Sequence, residues 1–168
     1  MNRLYANTLG IALTLSFSVS AQALELEQAA PEFSLPQLSS EAMNTLSQYR
    51  GKVIYLDFWA SWCAPCRTSF PLLEKLYQEN KDKGFTLVAI NMDEEVEAAN
   101  RFLKTYPATF DILRDTKGQW ADIYGVETMP TSFIIDKKGV VRQIHSGFAK
   151  DDIADIEEIV NKLLAESL

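Results

Sequence analysis

Two kinds of hydrophobic pattern alternate along the chain. The first is a short, nearly unbroken apolar run. Residues 53–58 (Val-Ile-Tyr-Leu-Asp-Phe) and 85–92 (Phe-Thr-Leu-Val-Ala-Ile-Asn-Met) are such runs, rich in β-branched and aromatic residues. They predict central strands covered on both faces. The second is helical spacing. In residues 64–80 it is carried by Phe70, Leu73, Leu76 and Tyr77, with Pro71 expected to kink the helix. Further helices are predicted over residues 94–106, stopped by Pro107, over 118–124, carrying Trp120 and ended by Gly125, and over 151–164. The last places Ile153, Ile156, Ile159, Val160 and Leu163 on one face. Residues 109–113 predict a short strand. Residues 132–136 and 140–145 predict a hairpin around Lys137-Lys138-Gly139. Residues 24–50, more polar and punctuated by Pro31 and Pro36, read as an extension with a short strand or hairpin, ending at Gly51. This order predicts an α/β fold, a mixed central sheet with helices on both faces, whose early strand-helix-strand unit is parallel and right-handed.

The first residues do not belong to that pattern. Arg3 and the amino terminus precede an apolar stretch over residues 9–19, and Ala21-Gln22-Ala23 forms an A-x-A site. This is the layout of a signal peptide, expected over residues 1–23 with cleavage after Ala23. It would leave one domain, residues 24–168, in the periplasm. The apolar stretch is shorter than the ~20 residues a spanning helix needs; an uncleaved anchor is the alternative. No cysteine follows the site, so a lipid anchor there is not expected.

Composition narrows the function. The 168 residues suit one domain, and a hydrophobic content of 47% is enough for a core of its own. The net charge of −7 argues against binding nucleic acid or docking on anionic lipid. The densest acidic cluster, Asp93, Glu94, Glu95 and Glu97, reads as a solvated helix start, where carboxylates suit the helix dipole.

The two cysteines carry the chemistry. Trp62-Cys63-Ala64-Pro65-Cys66 falls where a buried strand ends and a helix begins. A sulfur there faces the unpaired N–H groups of the first turn, which favour a thiolate, and Arg67 adds a positive charge. Pro65 suits a first turn, where its missing N–H costs nothing. An exported protein meets oxidising conditions that permit a disulfide. A structural staple is the alternative use, but so short a loop offers little stabilisation. Structural zinc normally needs four protein ligands, and beyond the two cysteines the chain has only His145, so no metal ligand is assigned. A C-x-x-C between strand and helix points to redox chemistry.

The segment D-F-W-A-S-W-C-A-P-C-R, residues 57–67, resembles the active-site segment of thioredoxins. Met129-Pro130-Thr131 and the strand after it resemble their cis-proline loop. The opening Ala30-Pro31-Glu32-Phe33 through Gly51-Lys52-Val53, and the extra segment over residues 94–116, resemble the exported TlpA/ResA-type branch. The resemblance implies a thioredoxin-like fold and a thiol–disulfide oxidoreductase, specifically a protein-disulfide reductase, without a bound cofactor. It implies that Cys63 attacks, that Cys66 resolves, and that the two form the redox disulfide. It implies a cis bond before Pro130. It also implies a docking surface of Trp62, Met129, Pro130 and Thr131, where Met129 pairs its backbone with the client like an added strand. An ordinary strand-edge proline is the alternative for Pro130.

Asp57 lies inside an apolar strand, where a lone carboxylate is costly and its pKa should rise. The thioredoxin resemblance makes it the acid that shuttles the proton of Cys66; a strand-end aspartate facing water is the alternative. Two departures bear on it. Ser69 stands where TlpA/ResA-type proteins often have a glutamate, and Ala89 matches the position of a lysine near the acid in thioredoxins. Trp59 is read as core, and His145 is given no role.

The dipeptide Ala64-Pro65 lacks the histidine that strong oxidases of this fold often carry, which points to a reductant. A membrane thiol reductase would supply its electrons. Client proteins with disulfides or thiols, apocytochrome c among them, would receive these electrons from a monomer. Two other classes stay open. A thiol peroxidase of the peroxiredoxin type would usually have proline seven, and threonine three, residues before its reactive cysteine. For Cys63 those positions hold Leu56 and Ala60. A Cu(I)-binding chaperone would use the two thiolates with His145.

Overall fold

The computed structural model describes residues 24–167. The signal peptide expected over residues 1–23 lies outside the described residues. A hairpin of β1 (Ser34–Pro36) and β2 (Met43–Thr45) opens the domain. Then follow β3 (Val53–Trp59), α1 (Ala64–Asn80), β4 (Phe85–Asn91), α2 (Val96–Thr105), β5 (Asp111–Arg114), α3 (Gln119–Tyr124), β6 (Thr131–Ile135), β7 (Val141–Ser146) and α4 (Asp152–Ala165). The five-stranded sheet has the order β5-β4-β3-β6-β7. β3, β4 and β5 are parallel, β6 is antiparallel to β3, and β7 is antiparallel to β6. The mixed sheet and its element order are those the sequence predicts. Helix α1 continues through Pro71.

Every residue of β3 and β4 is buried, because the sheet is covered on both sides. One face presents Val53, Tyr55, Trp59, Leu87 and Ile134 to apolar residues of α1 and α4, with Phe102 of α2 in the same layer. Trp59 and Phe102 both stack against Phe70, at ring-centroid distances of 4.6 and 4.9 Å. The other face presents Ile54, Leu56, Phe58 and Phe133 to Tyr124 of α3 and to Phe33, Leu35 and Leu46 of the N-terminal extension. Helix α3 has only six residues and is too short to cover that face alone. The extension completes the cover, and the Tyr124 hydroxyl fastens it by donating to the Pro31 carbonyl at 2.6 Å.

The boundaries shift for local reasons. β5 starts at Asp111, not at residue 109, because Glu74 of α1 takes the Thr109 N–H at 2.8 Å and its hydroxyl at 2.7 Å. Helix α2 starts at Val96, not at residue 94, because Asp93 is engaged elsewhere. The tight turn between β6 and β7 needs glycine at Gly139. Its φ is +85°, and a Cβ there would come within 1.7 Å of the Arg50 guanidinium.

Candidate active site

β3 delivers the chain to a short turn, and Cys63 is the N-cap of α1. Its Sγ accepts the Cys66 N–H at 3.2 Å. Ala64 and Pro65 fill the first two helical positions, so Cys66 supplies the first N–H aimed at the sulfur. Cys63 and Cys66 are joined in a disulfide with their Cα atoms 5.4 Å apart. The two sulfurs are not equivalent: Cys63 retains 3% exposure and Cys66 none. On reduction the same N–H and the positive end of the α1 dipole favour a thiolate at Cys63. Ser69, one turn further along, is buried and donates to the Cys66 carbonyl at 3.3 Å.

Asp57 sits in the same layer, on the α1 side of β3, and is 1% exposed. It does not face water. Its Oδ2 has no hydrogen-bond partner among the described residues, and burial holds its pKa well above the usual carboxylate range. Its neighbours across the sheet are Ala89 on β4 and Ser132 on β6, so no cation stands beside it there. Burial also pushes the Tyr55 phenol, on the same face, far above its ordinary pKa. His145 lies opposite Ser132 on β7 and pairs with Asp152 of α4, Nε2 to Oδ2 at 2.9 Å.

The surroundings of the disulfide are uneven. Trp62 is 66% exposed, the largest exposure among the exposed large apolar side chains of the described residues. The Met129–Pro130 peptide is cis, Pro130 is buried and Met129 is half-buried. The Gly147 N–H donates to the Pro130 carbonyl at 2.7 Å and ties this loop to the end of β7. Thr131 is buried as the first residue of β6, and its hydroxyl donates to the Thr128 carbonyl at 2.7 Å. Among the described residues neither backbone group of Met129 has a hydrogen-bond partner.

One positioning residue is misread in the sequence. The acidic cluster reads as a solvated helix start, yet Asp93 is 5% exposed. Its carboxylate accepts the Ser61 N–H at 3.0 Å, the Ser61 hydroxyl at 2.9 Å and the Asn91 side-chain amide at 2.8 Å. It therefore clamps the turn that carries Trp62 and Cys63. The only local signal was its place at a strand end, which the cluster masked. Asp93→Ala leaves three donors without their acceptor. It is expected to cost about 1–3 kcal/mol of stability in denaturant unfolding of the oxidised protein. A matching drop in the rate of disulfide reduction would show that the clamp also positions the sulfur.

The sequence model of the AhpC/TSA family matches residues 26–144. The thiol-disulfide oxidoreductase ResA of Geobacillus kaustophilus (strain HTA426) is 35% identical over 146 residues, covering 86% of this chain and 83% of its own. The thioredoxin-like protein YneN of Bacillus subtilis (strain 168) is 42% identical over 135 residues, covering 79% and 78%. A crystal structure from Chlorobium tepidum, described as a candidate thiol:disulfide interchange protein DsbE, superposes with a TM-score of 0.81 at 43% identity. It covers 85% of this chain and all of that one. With the disulfide seated at the mouth of α1 on a thioredoxin-like sheet, these likenesses make the chain a member of the AhpC/TSA family and a thiol–disulfide oxidoreductase of the ResA/DsbE kind.

Proposed function

We propose that the protein reduces disulfides of client proteins outside the cytoplasm, and that it works as a monomer. The observation that carries this reading is the asymmetry of the pair. Cys63 sits at the helix mouth with residual exposure and an N–H on its sulfur, while Cys66 is sealed behind it. The reduced Cys63 thiolate attacks a client disulfide, forms a mixed disulfide and expels one client thiolate. Cys66 then gives up its proton and attacks the Cys63 sulfur. The second client sulfur leaves as a thiol, and the Cys63–Cys66 disulfide is restored. Two electrons pass to the client. Asp57 accepts the Cys66 proton in its carboxylate form and returns it as the neutral acid, a role its burial suits because a raised pKa makes that carboxylate a stronger base. Trp62, Met129, Pro130 and Thr131 form the docking surface. Trp62 is its exposed aromatic, and Met129 supplies open peptide groups for an added strand. Thr131 contributes through its place at the start of β6 rather than through its hydroxyl.

Export rests on the sequence of residues 1–23 and on cleavage after Ala23. A membrane thiol reductase returns electrons to the pair, and apocytochrome c is among the clients. The reducing direction follows from Ala64-Pro65, which adds no further cation to stabilise the thiolate. Two observations weigh against the other classes. Leu56 and Ala60 occupy the positions a peroxiredoxin motif would use, and His145 is committed to Asp152.

The test is a Cys66→Ser variant of the full chain, expressed in its own periplasm. With the resolving thiol gone, clients are expected to remain linked to Cys63 and to separate only on reduction. No trapped client from an oxidising compartment would overturn the reading.

A further inference from the structure

Among the described residues there are five arginines, and three are in ion pairs. Arg50 pairs with Glu32, Arg114 with Glu41, and Arg142 with Glu27, Asp136 and Glu166. The remaining two, Arg67 and Arg101, have no carboxylate within 4 Å among the described residues, although acidic residues outnumber basic ones 23 to 16. Both line the same groove, between the start of α1 and α2, together with Ser61, Thr105 and Tyr106. No carboxylate is among the residues that line it. Asp93 is taken up by Ser61 and Asn91, and Glu97, one turn before Arg101 on α2, forms no ion pair with it.

The groove adjoins the redox pair. Arg67 follows Cys66 directly and is four residues after Cys63, so it lies on the same side of α1 as Cys63. Ser61 precedes Cys63 by two residues, which places their Cα atoms within about 7.6 Å. The volume is about 370 Å³, within the range of pockets that hold small groups. Guanidinium groups are planar donors matched to carboxylates, and two left without partners in an acidic chain form a local positive site.

We propose that this groove is a carboxylate subsite. Arg67 and Arg101 receive an acidic side chain that flanks the target cysteine of a client polypeptide. The inference rests on the exchange reaction proposed above and adds a preference to it. A polypeptide is the occupant because the exposed Trp62 and the open peptide groups of Met129 offer further contacts beside the sulfurs. In a chain of net charge −7, an acidic client is otherwise repelled, and the two arginines offset that locally.

The experiment compares two disulfide-bonded peptides that differ only by Glu or Gln beside the cysteine attacked. The reduced full chain, its Arg101→Gln variant and a Lys162→Gln variant are each assayed. Arg101 is chosen over Arg67 because Arg67 also touches the electrostatics of the sulfurs. Lys162 removes the same charge from α4, away from the groove. The wild type is expected to favour the Glu peptide roughly ten-fold, expressed in KM, as suits a charged hydrogen bond. The preference is expected to shrink with added salt. Arg101→Gln loses it, and Lys162→Gln keeps it. Equal reduction of both peptides by the wild type overturns the subsite alone, as does a preference that survives in Arg101→Gln. Arg101-dependent competition by oxidised glutathione that abolishes the peptide preference overturns the polypeptide as occupant. Reduction of neither peptide overturns the exchange reading itself, and the subsite with it.

Discussion

Cys63→Ser is expected to end disulfide reduction, with a loss of roughly 10⁴-fold or more in turnover, because a serine hydroxyl is not ionised at neutral pH and forms no disulfide. The stability change separates a reagent from a staple. Losing the Cys63–Cys66 bond releases a very short loop, worth about 2 kcal/mol by chain entropy. Urea unfolding of the variant should therefore show a modest loss while the activity vanishes. A variant that keeps appreciable turnover would move the chemistry away from this sulfur. The partner variant behaves differently. Cys66→Ser keeps the nucleophile, so it should complete the first exchange and stop there. Alkylation adds an independent reading. The Cys66 N–H already points at the Cys63 sulfur at 3.2 Å. In the reduced protein Cys63 should thus be trapped by iodoacetamide at pH values clearly below the ordinary thiol pKa of about 8.5. An unperturbed alkylation profile would remove the electrostatic basis of the mechanism.

Asp57→Asn is expected to make the protein more stable and a slower enzyme. The sign follows from burial. The folded-state pKa of Asp57 lies well above its unfolded value of about 3.8, because burial penalises the charged form. The folded state thus holds a proton that the unfolded chain has released. Stability is greatest below the unfolded pKa and falls as pH rises toward the folded one. Asparagine has no such titration. Its advantage should be near zero around pH 4 and should grow as pH rises toward the folded pKa of Asp57, because only the aspartate has to take up a proton to stay buried. Urea unfolding of the oxidised proteins at about pH 4 and pH 8 measures the difference, and there the cysteines do not titrate. On the catalytic side, asparagine does not take up the Cys66 proton. The resolving step should slow by roughly 10²-fold, the low end of what positioned proton transfer contributes. Mixed disulfide should then accumulate during turnover. A variant of unchanged rate and unchanged pH-dependent stability would reduce Asp57 to an ordinary strand residue.

These two residues differ in how far their surroundings can be read without coordinates. The placement of Cys63 at a helix mouth is local. A β-branched run ending at Trp59, two small turn residues and a proline in the first turn suffice to place the sulfur over free N–H groups. The burial of Asp57 is equally legible, since a carboxylate inside an apolar run has nowhere else to go. Its neighbours are only partly so. Ala89 follows from the family resemblance, but Ser132 becomes adjacent only because β6 inserts antiparallel beside β3. Asp93 shows the limit more clearly. In sequence it is one of four acids at a helix start; in space it is the acceptor for three donors under the active-site turn.

The sequence by itself determined the two central strands, the long helices, the mixed sheet and the redox pair, because each follows from periodicity and chemistry within a few residues. The tertiary structure alone decided which groups meet across the chain. It brought Asp93 under Ser61, and it set the N-terminal extension over the face that the short α3 leaves bare. It also left Arg67 and Arg101 together with no paired carboxylate among the described residues. Those meetings depend on strand order and helix packing, which a run of neighbouring residues does not encode.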